Sequence, residues 1–114
     1  MIVLLLVAAA ATSPAPVLYA AQARSIAYRD CVAAQARRRP ATVAEIGRGA
    51  CGRARSRLVE GVRDHVSFGW AATAKTAAQS RRLKAQLKLE AESQVAAFDD
   101  KLQAWLAETG ARAE

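Results

Sequence analysis

The side chains with the widest chemical scope in this chain are Cys31, Cys51 and the single histidine, His65. A dithiol redox centre of the C-x-x-C kind needs two intervening residues, and a closed zinc site needs four ligands, whereas here two cysteines 20 positions apart stand with one histidine. An even cysteine count in an oxidising compartment reads instead as a structural disulfide. His65 follows Asp64 and precedes Ser67, so a Ser-His-Asp set can be written on paper. Those residues are neighbours on one helix, however, and a triad requires groups converging on a substrate from different directions. The chain shows no phosphate loop, metal-ligand cluster or glycine-rich nucleotide fingerprint. The expectation is a protein without catalytic residues, cofactor or metal.

The cysteines lie on either side of a turn signal, Arg37-Arg38-Arg39-Pro40-Ala41-Thr42. Pro40 disfavours helix at Arg39, which ends a first helix near Arg38. Thr42-Val43-Ala44-Glu45 then matches a capping box and starts a second helix at Val43. Cys31 falls about seven residues before the first helix ends and Cys51 about eight after the second begins, so an antiparallel hairpin sets them at similar heights. Closing that loop of about 20 residues contributes on the order of 3 kcal/mol in the chain-entropy account.

The segment YRDCVAAQ, a turn, and then GACGRARSRL resembles small, uncharacterised exported proteins of Gram-negative bacteria that pair a cysteine in a first helix with an Ala-Cys in a second. The resemblance covers roughly residues 24–66 and implies an architecture but no activity. Glycines at 47, 49 and 52 depart from it, either allowing close helix contact around Cys51 or marking a break.

Ile46, Ala50, Ala54, Leu58, Val62 and Val66 recur every fourth residue as the buried face of the second helix. Arg48, Arg55 and Arg63 lie opposite, and Arg53 and Arg57 can pair with Glu60 and Asp64 at helical spacing. Gly69 is read as a bend, with a weak point in a longer helix as the alternative. Beyond it, Leu83, Leu87, Ala91, Val95, Phe98, Leu102 and Trp105 form a stripe on a long helix running from about Ala71 to Thr109, with Leu89 and Leu106 flanking it and Gly110 as its C-cap. Six of these, Leu83, Leu87, Val95, Phe98, Leu102 and Trp105, are the candidate helix-helix interface. Either they fold back on the hairpin, or they bind a protein partner or a second copy. Alanine makes up about a quarter of the chain, so the hairpin itself offers a thin core. The predicted fold is all-α: a disulfide-linked antiparallel hairpin over 24–69, followed by a long amphipathic helix within 70–114.

The net charge is +7, and it is unevenly distributed. Residues 24–82 carry thirteen Lys/Arg against four Asp/Glu, and residues 83–114 carry four against six. The cluster Arg37, Arg38 and Arg39 is the candidate contact for an anionic lipid or cell-wall surface. Nucleic acid is disfavoured, because no aromatics interleave the cations to stack bases and the N-terminus reads as an export signal. Residues 1–23 hold no charged side chain, and their apolar run from Ile2 to Ala11 has the length of a signal-peptide core rather than a membrane span. Ala21-Gln22-Ala23 supplies a cleavage site, with cleavage after Ala20 or Ala21 as competitors and a retained anchor as the alternative. The expected location is the periplasm or the exterior. The expected role is a helical interaction or structural module, with association to anionic surfaces as the second reading.

Overall fold

Proline, threonine and glycine set the boundaries. In the computed structural model, which describes residues 16–70 and 74–109, α1 spans Gln22–Arg38 after a single 3₁₀ turn, Tyr19–Ala21. Arg39 leaves the helix with extended backbone (φ −157°, ψ 149°), as a residue before proline must. Thr42 and Glu45 then form the expected capping box: the Glu45 amide donates to Thr42 Oγ1 at 3.2 Å and the Thr42 amide to Glu45 Oε1 at 2.9 Å. Accepting from the Thr42 amide and also from the Thr42 hydroxyl at 3.0 Å holds the Glu45 carboxyl below its ordinary range, the backbone bond being the larger cause.

The continuous second helix expected from Val43 is in fact two. Helix α2 covers Val43–Arg48 and α3 covers Gly52–Trp70. Between them, the Cys51 amide reaches back to the Ile46 carbonyl at 2.9 Å and the Gly52 amide to Gly49 at 3.0 Å. Glycines at 47, 49 and 52 weaken the helix here, and the break swings Cys51 into the core beside α1. The disulfide is formed, with Cys31 and Cys51 Cα atoms 5.9 Å apart.

The bend expected near Gly69 is present one residue on: α3 ends at Trp70 and the last helix packs back along it. That helix does not begin at Ala71, however: α4 spans Ala77–Thr109. Its start is set by Thr76, whose hydroxyl accepts from the Gln79 amide at 3.1 Å, while Gln79 Oε1 accepts from the Lys75 amide at 2.8 Å. Gly110, the expected C-cap, lies outside the described residues.

The hairpin's small residues decide where α4 packs. Ala33 and Ala36 of α1 are buried, as is Gly47 of α2, leaving room for the large side chains of α4. Val95, Phe98, Leu102 and Leu106 fill it, against Tyr28, Val32, Val43, Leu58 and Val62. Tyr28 and Phe98 rings meet at 6.2 Å between centroids. Gln103 Oε1 accepts from the Val43 amide at 2.9 Å, satisfying one of the amides that the start of α2 leaves without a helical partner. The expected all-α fold, disulfide hairpin and long last helix are therefore present.

Of the stretch expected to be a signal segment, residues 1–15 lie outside the described residues. Leu18 and Ala21 pack against the core, and the Leu18 amide donates to the buried Ser25 hydroxyl at 3.2 Å.

Candidate functional site

Burial forces polar side chains into company, and a buried polar cluster sits where α1, α3 and α4 meet. The Tyr28 hydroxyl donates to Asp99 Oδ1 at 2.6 Å, and Arg55 donates through Nε and Nη2 to Asp99 Oδ2 at 3.0 and 2.8 Å. The Arg55 and Asp99 side chains are only 30% and 16% exposed, so solvent screens the pair weakly. Gly47 is what admits this arrangement: a Cβ there would lie 2.6 Å from the Tyr28 hydroxyl and 3.0 Å from Arg55 Cδ. Burial pushes the Tyr28 phenol well above its ordinary value, helped by the hydrogen bond and negative charge of Asp99, with Arg55 opposing. For Arg55, burial disfavours the charge, but the bonds to Asp99 outweigh it and the net shift is upward. Tyr28 therefore remains a neutral donor and Arg55 a cation. Chemically, the triad is a clamp that ties three helices together, with its protons held fast.

The sequence reading set Arg55 opposite the buried face of the second helix and gave neither Tyr28 nor Asp99 a role. All three assignments are corrected by this clamp. The expected pairing of Arg53 and Arg57 with Glu60 and Asp64 is replaced as well. Among the described residues the ion pairs are Arg29 with Asp30, Arg55 with Asp99, and Arg63 with Asp64 at 3.9 Å. The Arg57 carbonyl instead accepts from Arg24 Nη1 at 2.8 Å.

Of the six candidate interface residues, Leu87, Val95, Phe98 and Leu102 are buried inside the chain's own core, and Leu83 and Trp105 are half-buried at its margins. The Arg29 guanidinium lies over the Trp105 ring at 6.0 Å. Leu106, expected to flank the stripe, belongs to the core, whereas Leu89 is 67% exposed. His65 is exposed, and the Ser67 hydroxyl donates to the Asp64 carbonyl at 2.9 Å, so the three residues of the paper triad do not converge. No group of three or more His, Cys, Asp or Glu side chains suited to a metal is found among the described residues.

Three surface hollows among the described residues gather two or more basic residues each. One, at the end of α1, involves Arg38 and Arg39 together with Glu45. A second, beside the disulfide, gathers Arg24, Arg53 and Arg57 with Glu60. The third runs between the end of α3 and the start of α4; Arg63, Lys84 and Lys88 line it with Leu83 and Leu87, and no carboxylate is among its lining residues. Arg37, Arg38 and Arg39 are all exposed, the first two in the last turn of α1, where cations also complement the helix dipole.

No protein-family model, curated protein or solved structure matches this chain.

Proposed function

We propose that this chain is an exported, non-catalytic helical module that works by binding through the arm formed by the end of α3 and the start of α4. The observation that carries this reading is the contrast in exposure along that arm. Phe68 is 92% exposed and Trp70 41%, and no side chain of α4 before Leu87 is buried. Exposed aromatics beside a partly apolar hollow are the kind of patch that marks an interaction surface. The body behind it, clamped by Tyr28, Asp99 and Arg55 and closed by the disulfide, holds the arm in place.

Export is supported by two features. The Cys31–Cys51 bond suits an oxidising compartment such as the periplasm or the exterior. The uncharged N-terminal stretch with its apolar run from Ile2 to Ala11 suits a signal peptide, cleaved so that the processed chain starts between Ala21 and Arg24. No helix among the described residues is long and apolar enough to cross a membrane.

A photo-reactive residue at position 68, in protein expressed in cells and irradiated there, tests the reading. Adducts at that position, to protein or to lipid, are expected; their absence alongside efficient labelling of a free probe overturns the binding role of the arm. Intact mass and non-reducing peptide maps of the same preparation test the compartment. A processed chain with one Cys31–Cys51 linked peptide is expected, and free thiols with Met1 retained would overturn export.

A further inference from the structure

We propose that the arm seats on an anionic lipid surface, with Phe68 and Trp70 entering the interfacial layer and Arg63, Lys84 and Lys88 meeting headgroup phosphates. This deepens the binding role proposed above and rests on it.

Charge is the first argument. From His65 to Leu89 the chain holds five cations, Lys75, Arg81, Arg82, Lys84 and Lys88, and not one Asp or Glu. No other stretch of this length described here is so one-sided: the second half of α4 carries Glu90, Glu92, Asp99 and Asp100, and the hollows near Arg38 and beside the disulfide each include a glutamate. Each cation held near an anionic leaflet favours association, so five on one arm form a strong electrostatic footprint.

Shape and polarity supply the second. The hollow between α3 and α4, about 600 Å³, has Leu83 and Leu87 in its wall and Arg63, Lys84 and Lys88 beside them. Lysine and arginine stems can lie along apolar surface while their charges reach outward, which suits a boundary between hydrocarbon and phosphate. Phe68, exposed on the surface, follows Ser67 of that hollow. Tryptophan favours the same boundary, and Trp70 ends α3. Phe68, 92% exposed at the far end of a helix pair, can enter the apolar layer while the cations stay at the phosphates, a pairing that a purely acidic surface would not use.

Position is the third. Arg24, near the start of α1, contacts the Arg57 carbonyl and lies against Gly61, so α1 stops short of the arm. Its other end, with Arg37, Arg38 and Arg39, is roughly 25 Å away along the helix. That exceeds the screening distance of about 8 Å at physiological salt, so a surface held by the arm is nearly invisible to those arginines.

The test uses the full chain as purified from cells, with Trp105→Phe so that Trp70 alone reports. It is titrated with vesicles of phosphatidylcholine with or without phosphatidylglycerol. Binding to the anionic vesicles, a blue shift of Trp70, quenching by brominated acyl chains and steep weakening with salt are expected. Lys84→Ser with Lys88→Ser should weaken binding on the order of 25-fold. Phe68→Ser should weaken it about tenfold. Arg37→Ser with Arg38→Ser and Arg39→Ser should leave it within about twofold. Absence of binding at low salt, or binding that follows Arg37–Arg39 and ignores Lys84 and Lys88, overturns the proposal. So does a mixed-sequence single-stranded oligonucleotide that binds more tightly than the vesicles. If vesicles fail while the position-68 probe forms a discrete protein adduct in cells, the lipid inference falls and the binding role of the arm stands. If neither lipid nor protein is labelled, both fall.

Discussion

The two parts of α4 are made from the same kinds of residue and meet different fates. From Leu87 to Leu106, six side chains are buried; from Ala77 to Gln86, none is. What differs is the neighbour. The later part faces α1, α2 and α3 together, where Ala33, Ala36 and Gly47 leave space for Phe98 and the leucines. Among the described residues the earlier part faces the last turns of α3 and not α1, which begins at Gln22, level with Gly61. Two helices alone cover little of each other's apolar surface, so Leu83 stays half-buried and Phe68 stays out. A periodic stripe therefore identifies a helix that wants a partner, while the size of the residues opposite decides which segment obtains one.

The sharpest way to break this comparison is to charge the packed half. Phe98→Asp with Leu102→Asp places two carboxylates among residues with almost no solvent access, at a cost well above the roughly 5 kcal/mol lower bound of a small domain's stability. Circular dichroism should find the variant unfolded, while the wild type sediments as a folded monomer. A wild-type dimer that the variant splits into folded monomers would mean that the stripe joins two copies.

A smaller effect probes the clamp. Gly47→Ala sets a methyl 2.6 Å from the Tyr28 hydroxyl and should cost about 2 kcal/mol, read by urea unfolding. In a Tyr28→Phe background the obstructing oxygen is gone, and the same substitution should cost less than about 1 kcal/mol, helped by the better helix propensity of alanine. Equal costs in both backgrounds would place the obstruction at Arg55. The pH profile gives a second readout. Because the folded-state Tyr28 value is raised, the native chain holds this proton where the unfolded chain releases it. That contribution is fully present below the unfolded value of about 10 and is lost as pH rises through the folded one. Stability should fall with pH above 10, and Tyr28→Phe should remove that component of the slope.

Legibility in the sequence followed the range of the interaction. The turn at Pro40, the Thr42–Glu45 box and the pairing of Cys31 with Cys51 are set within a few residues or by a single loop, and each was readable. The Thr76-x-x-Gln79 start of α4 carried the same kind of signal and was passed over, the last helix being started at about Ala71. Trp105 and Leu106 exchange the roles expected of them: Leu106 is buried, while Trp105 stays half-buried at the margin with the Arg29 guanidinium over its ring. The clamp had no local trace: Tyr28 and Asp99 are 71 positions apart and Arg55 and Asp99 are 44. Only the break at Gly49, which separates α2 from α3, brings Gly47 beneath the tyrosine. Three glycines within six residues signalled an irregularity there, yet spacing alone could not distinguish close contact from a break, and the chain uses both.

The smallest expected effect sharpens the comparison most cleanly, because it should be close to zero. Phe68 and Leu89 are large apolar residues at 92% and 67% exposure, one on the arm and one on the outer face of the packed half. Neither touches the core, so Phe68→Ser and Leu89→Gln should each change unfolding free energy by less than about 0.5 kcal/mol. In a chain of this size that is a shift of no more than roughly 2–4 °C in Tm. Leu87, two positions from Leu89 and buried, supplies the contrast: Leu87→Ala should cost about 2 kcal/mol or more. If Phe68→Ser instead lowers Tm as much as Leu87→Ala, the aromatic is packed in solution and the arm is part of the body. If stability is unchanged while vesicle binding falls, Phe68 serves a surface outside the fold, and the two parts of α4 differ in purpose as well as in burial.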